Sequence, residues 1–418
     1  MRLISESLLK YLRNYLQKGT ANFEFIEDRR KLVDQSFVIQ GRRIPVFINE
    51  FWTARQRQAS SIHEISYRAC FKPQLPRFFI LLLSQPGDVV YDPFSGRGTT
   101  VIEAGLLNRR IVANDLNPLS QILTAPRFFI PSVDAVEERL KEIPRRPQKW
   151  PEIDLSMFFH PDTFAEICAL REYLVRKEVD GLDDWLDHWI RMVATNRLTG
   201  HSPGFFSVYT LPPNQAVTPE RQIKINTRRN QKPEYRDTHR LIIRKTKSLL
   251  RNLTPRQVRN LRRTGESALF LKNDARHTLE IPSESVDLIV TSPPFLNVVQ
   301  YDKDNWLRCW FNRIDAKTIS QNLTMTHTIE KWSIVMQETF RELFRVTRSG
   351  GWVAFEVGEV RKGTVKLEEI VVPLGISVGF ECVALLINSQ KFTKTANIWG
   401  VSNNRLGTNT NRIVLFRK

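Results

Sequence analysis

Thr291-Ser292-Pro293-Pro294-Phe295 combines a hydroxyl, stiff backbone carbonyls and an aromatic plate at the end of the apolar run Val286-Asp287-Leu288-Ile289-Val290. An apolar run with β-branched residues and a Pro-Pro stop reads as a buried strand that ends abruptly. Proline has no N–H and a fixed φ, and it drives the residue before it into extended geometry. Two prolines in succession therefore hold Ser292 and the carbonyls beside it in a rigid, outward-facing arrangement. Acceptors of that kind next to the ring of Phe295 suit an exocyclic amino group on a nucleobase. The oxygens take its hydrogens and the ring stacks on the base. Ser-Pro-Pro also occurs in plain surface loops, so this chemistry needs a second constellation.

That constellation is Val89-Val90-Tyr91-Asp92-Pro93-Phe94-Ser95-Gly96-Arg97-Gly98-Thr99-Thr100. It reads as a strand, a glycine turn and a helix start, the first βα unit of a doubly wound sheet. Gly96 and Gly98 allow the backbone to approach a ligand closely. Asp92 falls at the carboxyl end of the strand, where such sheets bind ligands. The segment lacks Gly-x-Gly-x-x-Gly and a Walker lysine, which argues against a dinucleotide or ATP. A carboxylate at this point suits a ligand with a cationic amino group, such as S-adenosylmethionine.

Together the two motifs resemble the amino-methyltransferase superfamily, the DNA N4-cytosine and N6-adenine methyltransferases. The resemblance covers roughly residues 63–120 and 265–418. It implies that Asp92, Pro93, Phe94, Gly96, Gly98 and Thr99 bind the methyl donor, and that Ser292, Pro293, Pro294 and Phe295 form the catalytic loop. It also assigns Phe71 and Pro73, and with them Lys72, to the methionine end of the donor. Serine at the head of Pro-Pro leans toward cytosine N4 over adenine N6. The implied partners are double-stranded DNA and a cognate restriction endonuclease.

The elements that must position these residues follow along the chain. Arg110-Ile111-Val112-Ala113-Asn114-Asp115 reads as the second strand, with Asp115 placed to accept ribose hydroxyls. Ser267 to Ala275 reads as the third, with Asp274 placed to accept the adenine amino group of the donor. The fourth strand is Asp287 to Phe295. Tyr301 to Phe311 and residues 331–346 read as helices. Cys382 to Ile387 and Arg412 to Phe416 read as a closing hairpin at the sheet edge. Apolar spacing predicts a packing helix over 3–17, and 36–48 reads as a hairpin in which Pro45 makes the second strand an edge strand at best. His63 reads as a structural, hydrogen-bonded residue.

From about 121 to 265 the alternation breaks. Helical stretches appear near 162–177 and 182–197, followed by the Gly-, Pro- and aromatic-rich run Thr199–Asn214, either a substrate-contacting loop or a turn packing its own aromatics. Residues 221–263 hold 15 Lys and Arg against Glu234 and Asp237, so 15 − 2 = +13 of the chain's net +18 lies there. Spacing puts Arg236, Arg240, Arg244 and Arg251 on one helical face. Like charges this dense repel one another unless an anion neutralises them. Nucleic-acid phosphates would do so, and Arg228, Arg229, Arg236, Arg240, Arg244 and Arg251 are the candidate contacts.

The expected architecture is thus α/β, a doubly wound Rossmann-like sheet, mostly parallel with a C-terminal antiparallel hairpin, plus a helical basic insertion. Its divisions are 1–62, an N-terminal helix and hairpin; 63–120, the donor-binding half; 121–265, the inserted target-recognition region; and 266–418, the catalytic half. The four cysteines, Cys70, Cys168, Cys309 and Cys382, have no metal-ligand spacing, so no metal is expected. None follows a proline, which argues against the thiolate route of C5-cytosine methylation. No 18-residue apolar run and no signal-peptide core are present, so a soluble, cytoplasmic protein is expected. An RNA amino-methyltransferase, or a nucleic-acid-binding protein with an inert methyltransferase fold, would carry the same motifs.

Overall fold

The computed structural model describes residues 5–15, 36–39, 41–52, 59–67, 70–211, 216–294, 301–316, 328–357, 359–360, 365–388 and 411–418. Phe295 lies outside them, as do parts of the expected N-terminal helix, first hairpin and aromatic loop.

Short apolar runs form the centre of one sheet. Its strands are β1 (Ser36–Ile39), β2 (Arg42–Asn49), β3 (Val89–Asp92), β4 (Arg110–Asn114), β5 (Leu269–Leu271), β6 (Val286–Thr291), β7 (Thr347–Val357), and, after a small ribbon of β8 (Glu359–Val360) and β9 (Val365–Lys366), β10 (Glu381–Asn388) and β11 (Asn411–Arg417). The order in space is β1-β2-β10-β11-β7-β6-β3-β4-β5. Strands β3 to β7 run parallel, and β11 lies antiparallel to both β7 and β10. Chain order reverses between β3 and β6, the switch point at which open α/β sheets bind ligands. The fold is the mixed, mostly parallel α/β sheet that the motifs imply.

Two expectations are corrected. The hairpin β10–β11 is not at the sheet edge, because β2 pairs parallel to β10 from Val46↔Leu385 onward and β1 lies beyond it. β2 is therefore flanked on both sides despite Pro45. The β10 ladder begins one residue after the proline, so the missing N–H falls outside it.

Side-chain alternation separates two cores. Leu288 and Val290 of β6 face one, with α2 (Gln74–Leu83, after α1, Ser5–Arg13) and α3 (Thr99–Leu106). Ile289 faces the other, which contains Phe340, Phe355, Phe380 and Phe416. Between β4 and β5 come α4 (Leu119–Thr124), α5 (Val133–Glu142), α6 (Pro161–Val179), α7 (Trp185–Arg197), α8 (Pro219–Arg229), α9 (Thr238–Leu250) and α10 (Pro255–Glu266). Their starts follow from sequence: Pro161, Pro219 and Pro255 sit in first turns, and Asp184 and Thr254 close capping boxes with Asp187 and Gln257. The remaining helices are α11 (Tyr301–Phe311), α12 (Ile329–Val346) and α13 (Glu368–Ser377).

Candidate functional site

The turn from β3 to α3 is held by backbone geometry. Gly96 and Gly98 take positive φ, +53° and +75°, and a β-carbon on Gly98 would overlap Thr124. The Gly96 N–H donates to Asp115 Oδ2 at 2.8 Å, and the Asn117 N–H donates to Asp115 Oδ1 at 2.9 Å. Burial pushes the Asp115 carboxyl up to about 6, against those two N–H donors. Asn114 Nδ2 donates to the Pro93 carbonyl at 3.2 Å and to Asn273 O at 3.0 Å, so β4 holds the turn and the segment after β5 together. Ser95 Oγ and Thr124 Oγ1 are buried beside this turn with no partner among the described residues. Orphaned hydroxyls at a tight glycine turn are what a polar ligand would satisfy. Those hydroxyls suit a polar ligand such as S-adenosylmethionine, which Asp92, Pro93, Phe94, Gly96, Gly98, Thr99 and Asp115 would hold.

The serine-proline segment begins where β6 ends, on the strand next to β3. Thr291 Oγ1 donates to Asp92 Oδ1 at 2.6 Å, and the Phe94 N–H reaches the same oxygen at 3.2 Å. Asp92 is buried, and this burial pushes its carboxyl up to about 7 although Thr291, Thr100 and the Phe94 N–H pull it down. Ser292 is partly exposed just beyond. Trp332, at the start of α12, donates from Nε1 to the Pro294 carbonyl at 3.0 Å. The buried carboxyl of Glu356 on β7 lies alongside Ser292. The two are neighbours because Thr291 and Phe355 are register partners.

Before α2, residues 61–67 form a point of convergence. Arg97, between the two glycines, turns inward and donates to Ile65 O at 2.7 Å, and the buried Arg127 donates to Ile62 O and Arg97 O. Asn196 of α7 and Arg308 of α11 each reach Ser66 O at 3.1 Å. His63 is structural as expected: it is buried and bonded to Glu103 at 2.7 Å, and burial lowers its pKa. Tyr67 lies against Gly96, 3.8 Å from where a β-carbon would be. Phe71 and Lys72 are half-buried and Pro73 is buried at the start of α2; burial, then Arg97, pulls the Lys72 pKa down.

Asp274 is engaged by Arg276, whose Nε and Nη2 donate to its two oxygens at 2.9 and 2.7 Å. The basic stretch divides. Arg236 is not on the helix: it precedes the N-cap Asp237, and its guanidinium turns into the aromatic loop, donating to the carbonyls of Ser202, Phe205 and Ser207. Arg197 stacks on Phe205 at 4.0 Å, so the described part of that loop packs its own aromatics. Arg251 pairs with Glu64 at 2.8 Å, Arg229 covers Tyr209, and Arg244 reaches Pro203 O. Arg228 and Arg240 are exposed with no carboxylate within ion-pair distance among the described residues. Sequence reasoning missed Glu356, Trp332, Asn114 and Tyr67. Glu356 left one signal, a lone carboxylate in the apolar strand Trp352-Val353-Ala354-Phe355-Glu356-Val357.

Among the described residues no helix is long and apolar enough to cross a membrane, and no cluster of metal-ligating side chains occurs. A DNA methylase family model, for N6 and N4 methyltransferases, matches residues 17–123. The type II methyltransferase M.PvuII of Proteus hauseri is 31% identical over 91 residues, 22% of this chain and 26% of that protein. The chain thus matches about a quarter of that relative's length. Among solved structures, a candidate DNA modification methylase of Thermus thermophilus, complexed with S-adenosyl-L-methionine, is 22% identical over 35% of this chain and 53% of its own, with a TM-score of 0.21. The rRNA methyltransferase aviRa of Streptomyces viridochromogenes is 11% identical over 88% of this chain and 93% of its own, with a TM-score of 0.35. Its glycine turn and serine-proline segment lie at adjoining strand ends, and over the first of them the chain is similar to the DNA N6 and N4 methyltransferases.

Proposed function

We propose that this protein transfers a methyl group from S-adenosylmethionine to the exocyclic amine of a base turned out of double-stranded DNA, cytosine N4 ahead of adenine N6. The observation that carries this reading is the hydrogen bond from Thr291 to Asp92, which joins the turn at the end of β3 to the residue preceding Ser292. When bound, the donor supplies an electrophilic methyl group on a sulfonium. An exocyclic amine is a poor nucleophile because its lone pair is delocalised into the ring. Ser292 Oγ and a backbone carbonyl of the proline segment accept its two hydrogens and favour a pyramidal nitrogen. Trp332 holds the Pro294 carbonyl, so the Ser292 and Pro293 carbonyls are the acceptors offered beside the hydroxyl. Positioning and electrostatics suffice, with no covalent enzyme intermediate. Unstacking the base costs about a few kcal/mol, and stacking on Phe295 offsets part of it. Asp115 would take the ribose of the donor and Asp274 its adenine amine. Exposed cations of the insertion, Arg228 and Arg240 among them, would meet DNA phosphates.

Calorimetry with S-adenosylmethionine should show saturable binding; no heat would end the enzyme reading. Unmethylated DNA and RNA, incubated with protein and donor and digested to nucleosides, should yield an amino-methylated deoxynucleoside by mass spectrometry. Product only in RNA would overturn the DNA assignment.

A further inference from the structure

We propose that Arg276 is a positioning residue for the methyl donor: it fixes the Asp274 carboxylate with one oxygen site still open, and that site takes the exocyclic amine of the donor's adenine. The proposal rests on the methyl-transfer reading above, in which Asp274 meets that amine. An aspartate on a half-exposed turn reads a base poorly by itself, because ordering its side chain costs part of the affinity. Here the turn removes that freedom beforehand. The Arg276 N–H and its Nε both donate to Asp274 Oδ1 at 2.9 Å, and Nη2 donates to Oδ2 at 2.7 Å. An ionised carboxylate offers about four lone-pair sites, two on each oxygen. Oδ1 is therefore filled, and among the described residues Oδ2 keeps one site without a donor.

Arg276 is itself held from behind. Its Nη1 donates to Glu338 Oε2 on α12 at 2.9 Å. One turn further along, Glu342 Oε1 accepts the N–H and the hydroxyl of Thr278 at 2.9 and 2.6 Å. Residues four apart share a helix face, so one face of α12 carries the two carboxylates that fasten the loop after β5. On its other side the loop is tied to β4. The Asn273 N–H donates to Asn114 Oδ1 at 2.9 Å, and the Asp115 N–H donates to Leu271 O at 3.3 Å. Asp274 and Asp115 thus follow the ends of neighbouring parallel strands. A nucleoside whose ribose lies at Asp115 can reach Asp274 with its base.

The charged neighbours on its own turn are Arg276 and His277, with Glu338 beyond Arg276. Burial acts to raise the Asp274 pKa, but Arg276 outweighs it, and the carboxyl stays below its ordinary range. The group is accordingly an acceptor only, which an amine requires and a ring oxygen does not. The planar guanidinium fork meets both carboxylate oxygens at once and still has an edge for Glu338. A lysine ammonium is a point charge and can reproduce only part of that geometry.

The test measures calorimetric binding of two ligands to the full chain: S-adenosylhomocysteine, and its analogue whose purine lacks the 6-amino group. Wild type should hold the analogue about 10- to 100-fold more weakly, the range of one hydrogen bond to a charged group. Arg276→Gln should weaken S-adenosylhomocysteine about tenfold and leave the analogue within about threefold, so the preference narrows. Arg276→Lys should restore part of the preference. Glu338→Gln should narrow it by about threefold, and Asp274→Ala should abolish it. If Arg276→Gln does not fold, the lysine and Glu338 variants carry the same comparison. Equal weakening of both ligands by these variants overturns the proposal, since Arg276 would then be a strut for the loop. An unchanged preference overturns it as well. Wild type that binds both ligands equally removes the amine from Asp274 and sinks the proposal while donor binding stands. Wild type that binds neither ends the methyl-transfer reading itself.

Discussion

Asp92 shows how one buried side chain shapes both the site and the stability. Its carboxyl is raised to about 7 by burial, whereas in an unfolded chain it titrates near the usual 3.8. The folded state therefore binds a proton that the unfolded state has lost between those values. Stability from this group is fully present below about pH 4 and drains away as pH rises through about 7. Asp92→Asn, which cannot ionise, should be more stable than wild type at pH 8, by an amount on the order of 2–4 kcal/mol, with the gain disappearing toward pH 4. Urea denaturation at the two pH values measures this, and donor affinity should fall in the same variant. Thr291→Val removes the partner of a buried acceptor and should cost about 1–3 kcal/mol. At this scale the sequence was informative: Asp92, the glycines and Ser292 stood out by type and spacing. Glu356 did not, because its hydrogen-bond partner Asn411 and its neighbour Ser292 are distant in sequence and only the sheet brings them alongside it.

The basic insertion illustrates how an element can look uniform in sequence and divide in space. Density of charge marks the whole 221–263 stretch, but helix α9 starts at Thr238, and this leaves Arg236 to staple the aromatic loop. Charge removal should separate the two roles. Arg228→Gln and Arg240→Gln should each weaken DNA binding and lower the slope of log affinity against log salt by about 1, with little change in stability. Arg236→Met should destabilise the protein by on the order of 1–3 kcal/mol, because the Phe205 and Ser207 carbonyls lose this donor while the Ser202 carbonyl keeps only the Phe205 N–H. Binding titrations at several salt concentrations and thermal melts distinguish these outcomes. Helix starts were legible from Pro, Asp and Thr at their caps. The direction in which each arginine turns was not, since a long flexible side chain settles wherever carbonyls or carboxylates happen to be within reach.

Across the whole molecule, the N-terminal hairpin is part of the main sheet. β2 covers β10, and Asn388 at the end of β10 accepts the N–H groups of Phe51 and Trp52, which belong to the same core as α2. Deleting residues 1–52 should expose a strand edge and an aromatic core face, and so produce aggregation visible by size-exclusion chromatography. Local pattern alone determined the parallel α/β sheet, the turn at Gly96 and Gly98, the stop at Pro293 and the helical insertion, because each depends on residues close together in the chain. Only the tertiary structure decided that β2 is interior, that Arg236 faces inward, that Trp332 holds the Pro294 carbonyl and that Glu356 stands behind Ser292. Those outcomes depend on contacts between residues tens to hundreds of positions apart, and nothing in the spacing of a single segment encodes which distant neighbour will come to lie against it.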